Sequence, residues 1–208
     1  MKYSLVIFDF DGTLADTFSW FVGIANQIAD KYGIRHIDER EYEMLKGYDV
    51  RKVIEYLEVP LWKVPLIAAY TRGLMTENIH QVGLFDGIGG VLRQLSEQGA
   101  TLAVVSSNSS ENVRRVLGPE SAALIHYYEC SVPMFGKPSR FKKILSKSGI
   151  SHDDAIYIGD EIRDLKATKK VAIAFGAVSW GYNSADSLRA HGPTELFTRV
   201  EEIAERLI

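Results

Sequence analysis

The stretch LVIFDFDGTL, residues 5–14, sets a short apolar run directly before two aspartates that are one residue apart. The run predicts a buried parallel strand over Tyr3 to Phe8. Asp9 and Asp11 can face one site if the chain curls after this strand, and Gly12 permits that curl. Close carboxylates repel each other unless something binds them, and a divalent cation with oxygen ligands is the usual solution. Taken alone, the pattern is also compatible with a solvated turn.

Later in the chain, short runs rich in β-branched or aromatic residues alternate with helical patterns. The predicted strands are Thr101 to Val105, His126 to Glu129, Ala155 to Ile158 and Ile173 to Val178. The predicted helices are Ile88 to Gln98, Phe141 to Ser148, Ile162 to Lys170 and Thr198 to Ile208, the last with Thr198 and Glu201 in capping-box spacing. This alternation predicts an α/β fold with a Rossmann-like parallel sheet core.

The segment between the first strand and this alternation is different in character. Apolar residues recur at three- and four-residue intervals from Phe18 to Tyr32, and further helices are expected at Glu39 to Leu45, Val50 to Leu57 and Pro60 to Ile79. We therefore expect a core domain of residues 1–15 and 83–208 and an inserted all-helical cap domain of residues 16–82. An insertion after the first strand lies at the carboxyl edge of the sheet, where ligands bind in open α/β folds.

Composition sets the outer limits of the interpretation. The chain has 208 residues, 46% hydrophobic and 25% charged, which is typical of a globular protein of one large domain or a domain with an insertion. Its net charge of −3 is spread along the sequence, which argues against nucleic-acid binding. The single cysteine, Cys130, and the lack of a signal peptide or membrane-spanning run predict a cytoplasmic protein without a membrane partner.

Polar groups follow three of the later strands. Ser106 to Asn108 offer hydroxyl, amide and backbone donors that can hold a phosphoryl oxygen beside a helix N-terminus. In Phe135-Gly136-Lys137-Pro138, the proline can begin a helix next to a lysine. Asp160 and Asp164 stand four residues apart at the start of another helix. Each signal is weak alone, but all of them are expected at the same edge of the sheet.

Together these motifs resemble those of the haloacid dehalogenase superfamily. They are DFDGTLAD at 9–16, LAVVSSN at 102–108, GKPSR at 136–140 and IGDEIRD at 158–164. The resemblance extends over essentially the whole chain, including an insertion similar to the small helical cap of one branch. Residues 84–99 and 178–197 resemble phosphoglycolate phosphatase-type hydrolases. The loop at 180–183 is expected to pack beside the fourth motif. Ala172 stands where a glycine is common, and we expect it to adopt a strained φ or to change how the helix ends.

The resemblance implies roles for individual residues. Asp9 is the nucleophile that forms an aspartyl phosphate, and Asp11 is the general acid and later the base. Magnesium is held by Asp9, by the backbone carbonyl of Asp11 and by Asp160, and either Asp164 or Glu161 completes the set.

Substrate contacts are also implied. Ser106 and Lys137 bind the non-bridging oxygens together with the amides of Ser107 and Gly12. Thr13 and Asn108 complete the expected substrate-binding set in the core. In the cap, Lys46 and Arg51 are expected to bind the rest of the substrate, although a solvated cationic face explains them equally well.

The expected activity is magnesium-dependent hydrolysis of a small phosphorylated metabolite, such as phosphoglycolate or a sugar phosphate, by a monomer or homodimer. Asp11 favours phosphate-ester chemistry over dehalogenation, since a leaving halide needs no proton. Two alternatives stay open: a phosphomutase of the β-phosphoglucomutase type, which keeps this acid, and a non-catalytic phosphate-binding protein.

Overall fold

The computed structural model describes residues 1–134 and 136–208. Phe135, the first residue of the predicted lysine loop, lies outside the described residues. Within these residues, six strands form a single parallel sheet: β1 Leu5–Phe8, β2 Thr101–Val105, β3 Ile125–Glu129, β4 Ala155–Gly159, β5 Ala174–Val178 and β6 Glu195–Phe197. Their order is β3-β2-β1-β4-β5-β6, so the predicted Rossmann-like α/β core is confirmed.

This strand order fixes where a ligand can bind. The sheet grows from β1 through β2 to β3 on one side and from β4 outward on the other, so the topological switch point lies between β1 and β4. Asp9 leaves β1 at this point, and its N–H donates to the carbonyl of Ile158 on β4 at 2.8 Å. In open α/β sheets the crevice at such a point is the binding site.

Helices cover both faces of the sheet. Their bounds are α5 Ile88–Glu97, α6 Ser110–Leu124, α7 Lys137–Ser148, α8 Ile162–Lys169, α9 Ala185–Ala190 and α10 Glu202–Leu207. Val6 and Phe8 of β1 point to a buried apolar cluster shared with α5, α6 and α10. Leu5 and Ile7 point to a second cluster shared with α7, α8 and α9. Because β1 is buried on both faces, its sequence is continuously apolar.

The elements between β1 and α5 are all helical. They are α1 Thr17–Tyr32, α2 Tyr42–Leu45, α3 Val50–Tyr56 and α4 Val64–Glu77, with 3₁₀ turns at Glu39–Glu41, Leu61–Lys63 and Ile79–Gln81. The Asp16 side chain caps α1 by accepting from the Ser19 N–H at 3.1 Å. The chain leaves the sheet domain and returns to it at neighbouring positions, since the Asp16 N–H donates to the Gly83 carbonyl at 3.0 Å.

The insertion is tied to the core at a distance from this crossing. The side-chain amide of Asn183 donates to the carbonyls of Lys46 and Tyr48 at 2.9 and 2.7 Å. Lys166 of α8 forms an ion pair of 2.7 Å with Asp49 at the N-terminus of α3. These contacts hold the loop between α2 and α3 over the carboxyl edge of the sheet.

Two local features of the backbone were expected from the sequence, at Ala172 and at Thr198. The left-handed φ of 55° at Ala172 confirms the strained backbone expected there. The predicted capping box at Thr198 is wrong: α10 begins only at Glu202, and the Thr198 N–H and hydroxyl donate to the Glu202 side chain at 2.8 and 3.0 Å. Strand β6 and helix α9 were not expected. Across the described ranges, the helices are all too short or too polar to span a bilayer.

Candidate active site

The loop after β1 is a tight turn that presents Asp9. The N–H groups of Leu14 and Ala15 both donate to the Phe10 carbonyl at 3.0 Å. Gly12 has a φ of +72°, and a Cβ there would lie 2.3 Å from Asp160 Oδ2, so only glycine fits. The Asp9 carboxylate is 3% exposed, with Oδ1 accepting from the Phe10 N–H at 2.8 Å.

Lys137 begins α7 and inserts its ammonium group among buried oxygens. It donates to Asp9 Oδ2 at 2.6 Å, to Asp164 Oδ2 at 2.8 Å and to the Tyr157 hydroxyl at 2.7 Å. These three bonds use all three protons of the ammonium group. Burial lowers the pKa of Lys137, but Asp164 and Asp9 outweigh burial, so its net pKa is raised and it stays charged.

Asp11 faces the end of β2. Ser106 Oγ donates to its Oδ2 at 3.3 Å, and Asn108 Nδ2 donates to its Oδ1 at 3.1 Å. Asn108 is itself fixed, since its side-chain oxygen accepts from the amide of Asn112 at 3.0 Å. Burial raises the pKa of Asp11 in spite of these donors. A carboxyl group with a raised pKa holds a proton more readily than an ordinary one, which suits a general acid.

The acidic residues after β4 divide between two environments. Asp160 is fully buried, and its oxygens accept from the Thr13 hydroxyl at 2.9 Å and from the Tyr182 N–H at 2.7 Å. Burial and the neighbouring Glu161 raise the pKa of Asp160 to about 8. Asp164 turns instead towards Lys137. Burial raises its pKa, but Lys137 and Arg163 outweigh burial and lower it overall.

Three acidic side chains converge in a way that suits a cation. Carboxylate oxygens of Asp9, Glu161 and Asp164 all lie within 4.8 Å of one another. A set of oxygen donors only is what Mg²⁺ and Ca²⁺ prefer. Among the described residues, Asp160 is not part of this group, whereas Glu161, which the sequence left open, is. The residues present therefore fit a hard divalent cation.

A large cavity opens above Asp11. Its volume is about 640 Å³, and Ser107 and Asn108 line it together with the inserted helices. Lys46 also lines it, with its Nζ 4.6 Å from the centre of the Phe18 ring. Ser107, Asn108 and Lys46 therefore share one cavity with Asp11.

Three other expected substrate contacts are placed differently. The Gly12 N–H donates to the Ala15 carbonyl at 3.0 Å, because it closes the tight turn, and so it is not directed at a ligand. The Thr13 hydroxyl is committed to Asp160 and orients that carboxylate. Arg51 lies outside the large cavity, on a second one of about 380 Å³ that also reaches Lys137 and Asp164.

Two tyrosines at the site were not identified from the sequence as site residues. Tyr157 lies within β4, where its aromatic side chain has the pattern of an ordinary core residue, yet its hydroxyl meets Lys137. Tyr182 donates its N–H to Asp160, and its ring lies 5.2 Å from that of Phe18, edge to face. The Trp180 indole N–H donates to the Thr13 carbonyl at 3.1 Å. The expected packing of the 180–183 loop beside the fourth motif is thereby confirmed.

Comparison with known proteins agrees with this geometry. A curated phosphoglycolate phosphatase of Synechococcus elongatus is 29% identical over 201 residues, covering 96% of this chain and 95% of that protein. A 5'-nucleotidase of Pseudomonas aeruginosa is 25% identical, covering 93% of this chain and 90% of its own. A haloacid dehalogenase-like family hydrolase from Streptococcus pneumoniae superposes with a TM-score of 0.81 at 18% identity, covering 100% of this chain and 99% of its own.

The family described as haloacid dehalogenase-like hydrolase matches residues 6–178 of this chain. That range begins inside β1 and ends with β5, so it contains all four motifs and the helical insertion. The match includes every side chain placed above around Asp9, Asp11 and Lys137. The chain therefore belongs to the haloacid dehalogenase-like hydrolase family.

Proposed function

We propose that this protein is a magnesium-dependent phosphatase that hydrolyses a small phosphate monoester through an aspartyl phosphate at Asp9. The observation that carries the proposal is the contrast between two aspartates of one turn. Burial raises the pKa of both, but Asp9 is paired with the buried ammonium group of Lys137 at 2.6 Å, whereas Asp11 lines the cavity and accepts from the neutral side chains of Ser106 and Asn108. One carboxylate suits a nucleophile and the other suits a proton carrier.

In the first half-reaction, an Asp9 carboxylate oxygen attacks phosphorus while the bond from phosphorus to the alcohol oxygen breaks. Asp11 donates its proton to that departing oxygen. In the second half-reaction, Asp11, now ionised, takes a proton from water, and the water oxygen attacks phosphorus. The bond from phosphorus to Asp9 then breaks and inorganic phosphate leaves. Lys137, Ser106 and the backbone at Ser107 offset the charge on the phosphoryl oxygens.

The acidic residues near Asp9 support the magnesium part of the proposal. Asp9, the Asp11 backbone carbonyl, Asp160 and Asp164 would hold the ion, and Glu161 joins the set because its carboxylate lies within 4.8 Å of those of Asp9 and Asp164. When bound, such an ion neutralises charge on the transferring phosphoryl group and helps to orient it.

The insertion supports a cap function. Residues 16–82 form helices over the carboxyl edge of the sheet and line the cavity above Asp11, so we propose that they act as a cap domain on a core of residues 1–15 and 83–208. Closing such a cap limits the access of water to the first half-reaction. We propose that the protein acts in the reducing cytoplasm, which the free thiol of Cys130 fits. We propose that it does so as a monomer or homodimer.

The test is release of inorganic phosphate from a panel of monoesters that includes phosphoglycolate, sugar phosphates and nucleotides. The proposal expects release with Mg²⁺, none with EDTA, and none from the Asp9→Asn variant in either condition. Lys142→Met, an exposed change on α7, is the matched control and should keep activity. Release that persists in Asp9→Asn or in EDTA would contradict the proposal.

A further inference from the structure

The inserted helices enclose a space that their own side chains leave unfilled. In the described chain, α3 contains no buried residue, and Met75 is the one buried residue of α4. Apolar side chains of these helices line the 640 Å³ cavity and are only half-buried, including Val53, Ile54 and Ile67. An unfilled apolar space forfeits packing energy in proportion to its volume, and a bound apolar group would recover it.

This space is continuous with the candidate active site. The same cavity that runs between α1, α3 and α4 is lined at its other end by Asp11, Ser107 and Asn108. A phosphoryl group held near Asp9 and Asp11 would therefore direct the alcohol part of its ester into the apolar space. Pockets of roughly 300–1,000 Å³ accept ligands of drug-like size. The glycolate group would fill little of this volume.

The junction between the two ends is aromatic. Phe18 packs edge to face on Tyr182 with ring centres 5.2 Å apart, and Phe21 lies 6.3 Å from Tyr182. All three rings line the cavity. Aromatic rings of this kind pack well against hydrocarbon chains and against other rings.

The cations of the wall do little to attract a second anionic group. In the described part of the chain four basic side chains line the cavity, and three of these form ion pairs with glutamates. Arg35 pairs with Glu41 at 2.5 Å, Lys46 pairs with Glu43 at 3.6 Å, and Arg163 pairs with Glu161 at 2.5 Å; the fourth is Arg72. The wall is therefore suited to an apolar group more than to a carboxylate or a second phosphate.

We propose that the alcohol part of the substrate is a bulky apolar group, an alkyl chain or an aromatic ring system, and that it binds in this cavity between the inserted helices. The assignment rests on the proposed phosphatase function for the phosphoryl end of the substrate. It narrows the substrate to phosphate monoesters of hydrophobic alcohols. Phosphoglycolate, whose glycolate group is small and charged, is then not the best fit.

The direct test measures binding without turnover. Alkylphosphonates carry a C–P bond that hydrolysis of an ester cannot break, so calorimetry with methyl-, butyl- and octylphosphonate isolates the cavity from the chemistry. Each buried methylene is worth about 0.8 kcal/mol, or roughly a fourfold gain in affinity. We expect the octyl compound to bind at least about 16-fold more tightly than the butyl compound, allowing half that gain per methylene. A difference below about threefold would overturn the proposal.

Neighbouring alanines of α4 supply a matched pair of variants. Ala68 lines the cavity and Ala69 is exposed outside it. Ala68→Phe should reduce the octyl-to-methyl affinity ratio at least about tenfold by occupying the space, whereas Ala69→Phe should keep the wild-type ratio. Val53→Phe fills the cavity from α3 and replaces Ala68→Phe if that variant loses its helical circular dichroism. An unchanged ratio in folded Ala68→Phe or Val53→Phe would contradict the assignment.

Turnover separates this inference from the proposed function. Butyl and octyl phosphate have leaving alcohols of matched acidity, so their relative kcat/KM reports the cavity and not the chemistry. Hydrolysis of both at equal kcat/KM would support the phosphatase function and contradict an apolar binding site for the alcohol. Phosphonate binding that depends on chain length, without hydrolysis of any ester, would support the apolar binding site and contradict the phosphatase function.

Discussion

Replacing Lys137 with methionine should destabilise the protein strongly while leaving its apolar core intact. The lysine is 3% exposed and lies between Asp9 and Asp164, at 2.6 and 2.8 Å. Methionine is similar in length and apolar, so the change leaves little empty space. What it removes is the positive charge that compensates two buried carboxylates.

The cost follows from that geometry. Removing one partner of a buried ion pair costs about 3–5 kcal/mol, because the other charge stays buried without compensation. In a protein of this length each kcal/mol shifts Tm by about 2–4 °C, so the expected loss is about 6–20 °C. Burial already raises the pKa of Asp9, and loss of the lysine raises it further. The folded variant therefore binds more protons than the unfolded chain, and its deficit should be largest at high pH and narrow as the pH falls.

The assay is thermal unfolding followed by circular dichroism in EDTA, at about pH 8 and about pH 5. Lys142→Met is the control, since it removes an exposed lysine from the same helix. It should change Tm by no more than about 2 °C, as surface substitutions do. A Tm loss in Lys137→Met that is no larger than in the control, or that grows as the pH falls, would refute the reasoning.

Three further changes have distinct expected outcomes. Gly12→Ala places a Cβ 2.3 Å from Asp160 Oδ2 at a φ of +72°, so urea unfolding should show a loss of about 1–3 kcal/mol in the free energy of unfolding. Its control is Gly23→Ala in α1, where nothing lies within 4 Å of the added Cβ and the free energy of unfolding should stay unchanged or rise. Asp11→Asn should lower kcat/KM for an alkyl phosphate far more than for p-nitrophenyl phosphate, because kcat/KM reports the steps up to release of the alcohol and nitrophenolate leaves without a proton; equal losses in kcat/KM would contradict its role as the acid. Burial raises the pKa of Cys130 to about 11, so iodoacetamide at about pH 8 should alkylate it at least about tenfold more slowly than an ordinary thiol, as followed by mass spectrometry.

Much of the fold could be predicted because its main elements have strong patterns. The apolar run before Asp9 and the alternation after Gly83 determined the parallel sheet and the place of the insertion. Strand β6 was not predicted, because Glu195–Phe197 is only three residues long and lies at the edge of the sheet. So short a segment carries too little periodicity to be distinguished from a loop.

The candidate site, like the fold, could be predicted only in part. Motif spacing identified Asp9, Asp11 and Lys137, since each follows a strand at the edge where ligands bind. It could not show that Tyr157 turns its hydroxyl towards Lys137, because an aromatic residue inside an apolar strand is normally core. Nor could it show that Thr13 binds Asp160, since that contact joins residues 147 positions apart and depends on tertiary packing.

The central claim is that Asp9 becomes phosphorylated during turnover. Its most direct test is intact-protein mass spectrometry after acid quenching within milliseconds of mixing the protein with Mg²⁺ and a reactive monoester. We expect one added phosphoryl group, located by peptide mapping to Asp9, which disappears on longer incubation and never forms in Asp9→Asn. Phosphate release without any such adduct, or an adduct that persists in Asp9→Asn, would contradict the account.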